Sequence, residues 1–422
     1  MNPLRSILMM SFAIALVQAC NRDGGPVGPN ASGARADLIV EAARVGTWTA
    51  VASMPTARFG LAAATGKHGI IYALGGSVGL AGPIVATAEA YDQKTGEWST
   101  VSPMPTPRRY LMAATDRRGR VYAIGGALAG VFRSLVDRYD PATDTWSAMS
   151  PLPVALCCGA ATTGLDGRIY VIGGFANGNV QLSNAEAYDP ETDTWSSLAP
   201  LPAPRAGKLS AVTAADGRIY VMGGINGVTT VATVDAYDPC TDTWTPRASM
   251  PTPRRFLDAV RGRGSIIYAL GGPVGSVGFP GTRELTTVEA YDLVADAWTA
   301  VASLSTPRGA LGAAVGRAGT IFAIGGFDGS SVLSSVEAFR PGHLDVRDAD
   351  GDDSDESDWP NLAARTARPR TGGRFGCQGA LAGDSRSAAR YCSHCAFSSF
   401  MKATNPASLR MRSRSGSVVK QG

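Results

Sequence analysis

"IYALGG", residues 71–76, is a short β-rich run closed by two glycines, and it returns as "VYAIGG" at 121, "IYVIGG" at 169, "IYVMGG" at 219, "IYALGG" at 267 and "IFAIGG" at 321. The glycine pairs are Gly75–Gly76, Gly125–Gly126, Gly173–Gly174, Gly223–Gly224, Gly271–Gly272 and Gly325–Gly326. Tryptophans keep the same beat at Trp48, Trp98, Trp146, Trp195, Trp244 and Trp298. So does an acid two residues before an aromatic: Glu89, Asp137, Glu186, Asp235, Glu289 and Glu337. A repeat of about fifty residues signals a solenoid or propeller. It overrides the length prior, which for 422 residues would suggest two or three domains.

Each repeat divides into four short segments. A small apolar run follows a "TPR"-like phrase, and a turn such as "LDGR" (165–168) leads into the glycine-pair strand. A third segment ends in Tyr-Asp. An Asp-Pro turn such as "DPETDTW" (189–195) then starts the fourth at tryptophan. Prolines recur every few residues, and no 3.6-residue apolar period survives, so long helices are excluded. Four short strands per repeat make one propeller blade. A lone four-stranded sheet leaves both faces bare, so each must stack on a neighbour, with Tyr and Trp as the contact plates. The glycine pair is expected where rings and backbone approach too closely for a Cβ.

The run Gly173, Gly174, Tyr188, Trp195 and its five counterparts resemble the kelch repeat, over residues 47–341. The resemblance implies an all-β, six-bladed kelch-type β-propeller. Trp48 precedes any glycine pair, and no tryptophan follows Phe339 at the repeat spacing of about seven residues. The N-terminal "TWTAVASMPT" is therefore expected to supply the outer strand of the last blade and leave no free edge.

Outside the repeats the chain changes character. Residues 1–19 read as a signal peptide, with Arg5 before the apolar run Ile7–Val17, too short to span a bilayer. "VQAC" resembles a bacterial lipobox, making Cys20 the expected lipidation site and the cell envelope, or secretion, the expected location. Residues 20–46 read as a flexible linker. Residues 342–422 read as a disordered tail, an acidic run followed by an Arg/Ser-rich stretch. The acidic "DADGDD" (348–353) lacks the glycine and final glutamate of a calcium loop at the required places. "CSHC" (392–395) with Cys377 falls short of four well-spaced zinc ligands. No metal or cofactor is expected, and seven cysteines at these spacings form no disulfide framework.

A net charge of +4, without a basic stripe, gives no reason to expect nucleic acid. Three histidines are too few for a two-His, two-Tyr copper centre, and two of them lie in the tail. No Gly-x-Ser-x-Gly elbow occurs. Loops after the glycine pairs vary in length while the opposite turns are stereotyped, which places binding on the glycine-pair face. That face also receives Arg58, Arg108, Arg205, Arg254 and Arg308, with Leu156 in the third repeat, and the extra Arg109 and Arg255. In kelch proteins arginines at this position line the ligand face, so the resemblance implies an anion or polar-ligand funnel here. The competing expectation is that they pair with acids inside the blades. The recurrent acid reads as structural, because catalysis needs asymmetry.

Function is thus expected to be that of a monomeric binding module for a protein or glycan, or a passive adhesion module. The alternative is a periplasmic carbohydrate-active enzyme, because the chain is similar in size and export signal to kelch propellers that epimerise sialic acid. An asymmetric acid–arginine pair in a pocket would favour the enzyme, and a broad uneven rim the binder.

Overall fold

A computed structural model describes residues 46–275 and 283–342. The expected signal peptide, Cys20, nearly all of the linker, the tail cysteines and the centre of the long blade-five loop lie outside these residues.

Six four-stranded antiparallel sheets account for the repeats. Their innermost strands are Ala62–Thr65, Met112–Thr115, Ala160–Thr163, Ser210–Thr213, Asp258–Arg261 and Gly312–Val315, which define blades 1 to 6. In blade 3 the order continues outward through Ile169–Ile172, Ala185–Asp189 and Thr194–Ser197. The glycine-pair strands are buried throughout, as runs with apolar contacts on both faces must be. Blade 6 is closed by Trp48–Val51, which pairs with Val336–Phe339 in the register Trp48↔Phe339 to Val51↔Val336. The sheet edge that the last repeat would expose is therefore covered by the other end of the chain.

Aromatic rings show how the blades stack. Within a blade the third-strand Tyr tilts against the fourth-strand Trp, as in Tyr188–Trp195 and Tyr237–Trp244, both with centroids 5.0 Å apart. Between blades the second-strand ring meets the third-strand ring of the next: Tyr72–Tyr139, Tyr122–Tyr188, Tyr170–Tyr237, Tyr220–Tyr291, Tyr268–Phe339 and Phe322–Tyr91. The last pair joins blade 6 to blade 1, so the stack closes. Each such pair contributes roughly 0.5–1.5 kcal/mol beyond burial of its area. Every repeat Trp also donates its Nε1–H to a carbonyl in the loop behind it, from Trp48 to Ala302 through Trp298 to Ala248. In blades 2 to 5 the turn aspartates Asp144, Asp193, Asp242 and Asp296 take the Tyr hydroxyl and a loop N–H, tying turn, blade and neighbour together.

The glycine pairs serve a narrower purpose than ring packing. Both residues have positive φ, +62° at Gly173 and +105° at Gly174. A Cβ on Gly173 would stand 2.6 Å from the Arg205 carbonyl, and Gly174 N–H donates to that same carbonyl at 2.8 Å. The atom that forbids a side chain is thus a backbone oxygen of the next blade's inner loop.

Candidate functional site

One face of the ring carries both the hairpins after the glycine pairs and the "PxPR" loops, because these two segments pair directly: Phe59↔Ser77, Arg109↔Ala127, Ala206↔Ile225 and Gly309↔Phe327. This is the face on which the arginines were expected, but they do not form a funnel. Arg58, Arg108, Arg254 and Arg308 are completely buried and Arg205 nearly so. Each turns inward along its own blade and pairs with the repeat acid: Arg58–Glu89 at 2.6 Å, Arg108–Asp137, Arg205–Asp235 and Arg254–Glu289 at 2.5 Å, and Arg308–Glu337 at 2.9 Å. The fork also caps backbone carbonyls, Gly75 and Thr87 for Arg58, Gly125 and Leu135 for Arg108. Burial lowers the pKa of all five guanidinium groups against the pull of their acids. It raises that of Asp137 and Asp235 against the pull of their arginines. These are intrablade clamps with no surface to offer a ligand, which corrects the funnel expectation.

The two extra arginines behave differently. Arg109 is half-buried, its guanidinium 5.3 Å from the centre of the Tyr110 ring. Arg255 donates to Thr230 Oγ1 at 2.9 Å and to the Gly275 carbonyl at 2.7 Å. Its charge also acts on Glu284, whose carboxyl is pushed up to about 7 by burial first, with Arg255 pulling down and Asp328 pushing up. Glu284 Oε2 is buried without a hydrogen-bond partner.

Two residues past the arginine position, or three in blade 4, the chain forms a collar around the axis. Gly60 N–H donates to the Ala310 carbonyl, Tyr110 to Gly60, Cys158 to Tyr110, Lys208 to Cys158, Phe256 to Gly207 and Ala310 to Phe256, over 2.6–3.0 Å. All six of these donors have φ between +47° and +64°, and five of them are not glycine. Left-handed backbone at such residues costs about 1–2 kcal/mol each, so the collar stores strain that the blades impose. Tyr110 of blade 2 and Phe256 of blade 5 meet across it, ring centroids 5.4 Å apart, and plug the mouth of the channel.

Beneath the plug lies a cavity of about 110 Å³ with Lys208, Ser210 and Asp258 on one wall. Lys208 Nζ is donated to the Leu311 carbonyl and stands 3.7 Å from Asp258 Oδ2, while Asp258 Oδ1 accepts from Ser210 Oγ at 3.2 Å. Burial lowers the Lys208 pKa, with Asp258 opposing. Below the alanines that separate them, a second cavity of about 320 Å³ is lined by Ala64, Thr65, Thr115, Thr163, Thr213 and Arg261. The channel groups were not among the residues singled out from the sequence. The one available signal was the alignment itself, where Ser210 and Asp258 replace the Ala or Gly of neighbouring repeats.

The outer rim of the same face is apolar at its tips. Leu80, Val131, Val180 and Val228, on the hairpins of blades 1 to 4, are all more than 45% exposed, Val228 reaching 73%. Only Leu165 and Val294 are comparably exposed large apolar side chains on the opposite turns among the described residues. Those residues also contain no group of three or more potential metal ligands.

Sheet order, glycine geometry and arginine clamps together define a kelch-type β-propeller. The chain belongs to the Attractin/LZTR1 beta-propeller family, whose model matches residues 71–336. Among solved structures it is similar to one described as "Structure of YjhT", at 18% identity and a TM-score of 0.57, covering 68% of this chain and 95% of that one. At that identity the likeness concerns the fold. Among curated proteins none matches.

Proposed function

We propose that this chain is an exported propeller, lipid-anchored through Cys20, that acts as an interaction module for a protein ligand seated on the glycine-pair face. The observation that carries the reading is the run of aliphatic tips Leu80, Val131, Val180 and Val228 on consecutive blades. Exposed aliphatic residues at adjacent loop tips fit an apolar protein surface better than a sugar, which is held by hydrogen bonds and aromatic stacking. The repeat arginines support this face from inside by fixing where the loops leave each blade.

The test places a photo-crosslinking residue at Val228 or Val180, and at Val294 as the control on the opposite face, in the full-length protein in its cell envelope. A single adduct from Val228 and Val180, absent from Val294 and lost on Leu80→Asp/Val131→Asp, is expected. Equal labelling from both faces, or none, overturns the reading.

A second reading, a carbohydrate-active enzyme acting on a sugar acid, is favoured by the Arg255–Glu284 pair. A carboxyl that titrates near neutrality beside a guanidinium suits proton transfer at an anionic sugar. Anomeric exchange of sialic or uronic acids followed by NMR, abolished by Glu284→Gln, would establish it over the first.

A further inference from the structure

Cys157 and Cys158 are the free cysteines among the described residues, adjacent in sequence and both buried. Their sulfurs lie 2.9 Å apart, closer than two unbonded sulfurs normally rest. The backbone holds them so from two sides. Cys157 belongs to the short strand Leu156–Cys157, which pairs with Phe175–Ala176, opposite Phe175. Cys158 is a collar residue, with φ +58°, its N–H on the Tyr110 carbonyl and its own carbonyl taken by Lys208 N–H. The left-handed turn that every blade imposes here is what brings the two side chains together. The apolar neighbours are Ala127 with Tyr110, Phe132, Phe175 and Phe256, and the charges of Lys208 and Arg109 also reach Cys158. The pair also stands in the one blade whose inner loop carries Leu156 where the others carry an arginine clamp.

We propose that Cys157 and Cys158 are a redox-active vicinal dithiol that closes to an eight-membered disulfide ring and fastens blade 3 to the collar. The reaction is thiol–disulfide exchange with a small disulfide oxidant such as glutathione disulfide. One cysteine, as thiolate, attacks a sulfur of the oxidant, the S–S bond breaks and the first glutathione leaves with a proton. The second cysteine, having lost its proton, attacks the protein sulfur of the mixed disulfide and releases the second glutathione. Two protein thiols are oxidised and one glutathione disulfide is reduced to two thiols. Because the sulfurs are already in contact, the second step outruns accumulation of the mixed disulfide. Burial confines the first step to openings of the blade-3 loop, so the ring, once formed, is shielded from exchange.

The test equilibrates the full-length protein across glutathione/glutathione disulfide ratios, quenches with alkylating agent in denaturant, and digests with trypsin. Residues 139–168 form one tryptic peptide with no other cysteine, so its mass is unambiguous. The expected peptide is two hydrogens lighter than the reduced form, resists alkylation and reverts with excess reductant, while Cys157→Ser and Cys158→Ser each carry glutathione instead. Two alkylated thiols at every ratio, or a persistent glutathione adduct on the parent, overturns the proposal whether or not the variants fold. Amide hydrogen exchange at Cys158 and Lys208 should slow on oxidation; unchanged rates overturn the fastening role.

Discussion

In blade 1 the inner loop sends Arg58 into its own sheet, where it meets Glu89 and the carbonyls of Gly75 and Thr87. In blade 3 that position is Leu156, packed with Leu152, Met112 and Ile124, and the acid Glu186 turns to Ser197 Oγ instead. The backbone lattice does not register the exchange. Gly126 N–H reaches the Leu156 carbonyl just as Gly76 N–H reaches that of Arg108. Strand order and ring stacking are also the same. The propeller is therefore built by glycine geometry and aromatic stacking, and the arginine clamp is an addition that one blade does without. This agrees with the general finding that a buried ion pair barely offsets its desolvation, whereas breaking one is expensive.

The largest expected effect tests the dependence of the other blades on their clamps. Glu289→Gln strands the Arg254 charge inside blade 5 and should cost about 3–5 kcal/mol in denaturant unfolding. An effect below 1 kcal/mol would mean the carbonyl cap alone carries the guanidinium. Blade 3 offers the converse. Both amide atoms of Asn184 are buried without a hydrogen-bond partner, where blade 2 has Leu135. Asn184→Leu should therefore raise stability by about 1–2 kcal/mol, the penalty of an unsatisfied buried polar group; a loss would show that a solvent molecule satisfies the amide.

A pH-dependent effect follows from Glu284. Its folded pKa, raised to about 7, exceeds the unfolded value near 4.3. The stability it confers is fully present below that unfolded value and is lost as pH rises to about 7. Glu284→Gln should match the parent near pH 4 and melt higher than it near pH 8; parallel Tm curves would contradict the assignment. The smallest effect is Glu186→Gln. With no arginine opposite and one serine hydroxyl bond at stake, it should cost below about 1 kcal/mol, the net worth of a hydrogen bond. If it matched Glu289→Gln, the contrast between the blades would fail.

The blade architecture could be read from the sequence because its determinants are local and repeated: two glycines, a Tyr, a Trp, an Asp-Pro turn. Closure by Trp48 followed from counting them. Where an arginine points was not readable that way, since "TPR" fixes the loop but not which way a long side chain folds back. The recurrence of Glu89 and its counterparts in phase with the arginines held that information, and it favoured the internal pairing. The channel cluster was hidden for the opposite reason. Lys208, Ser210 and Asp258 converge only through the curvature of two neighbouring blades, and each looks unremarkable in its own repeat.

The pairing of Trp48 with Phe339 has a temporal consequence as well. A nascent chain makes its first strand roughly 290 residues before the partner exists, which at translation rates of about 5–20 residues per second is a wait of about 15–60 s. Until then blades 1 to 5 can stack one upon another, but the ring stays open and blade 6 lacks its rim. Any product cut short before Phe339 leaves an unclosed circle with an exposed edge. The closing strand thus acts as a check on completeness, because only a chain translated through the sixth repeat can cover the sheet edge that the last blade would otherwise expose.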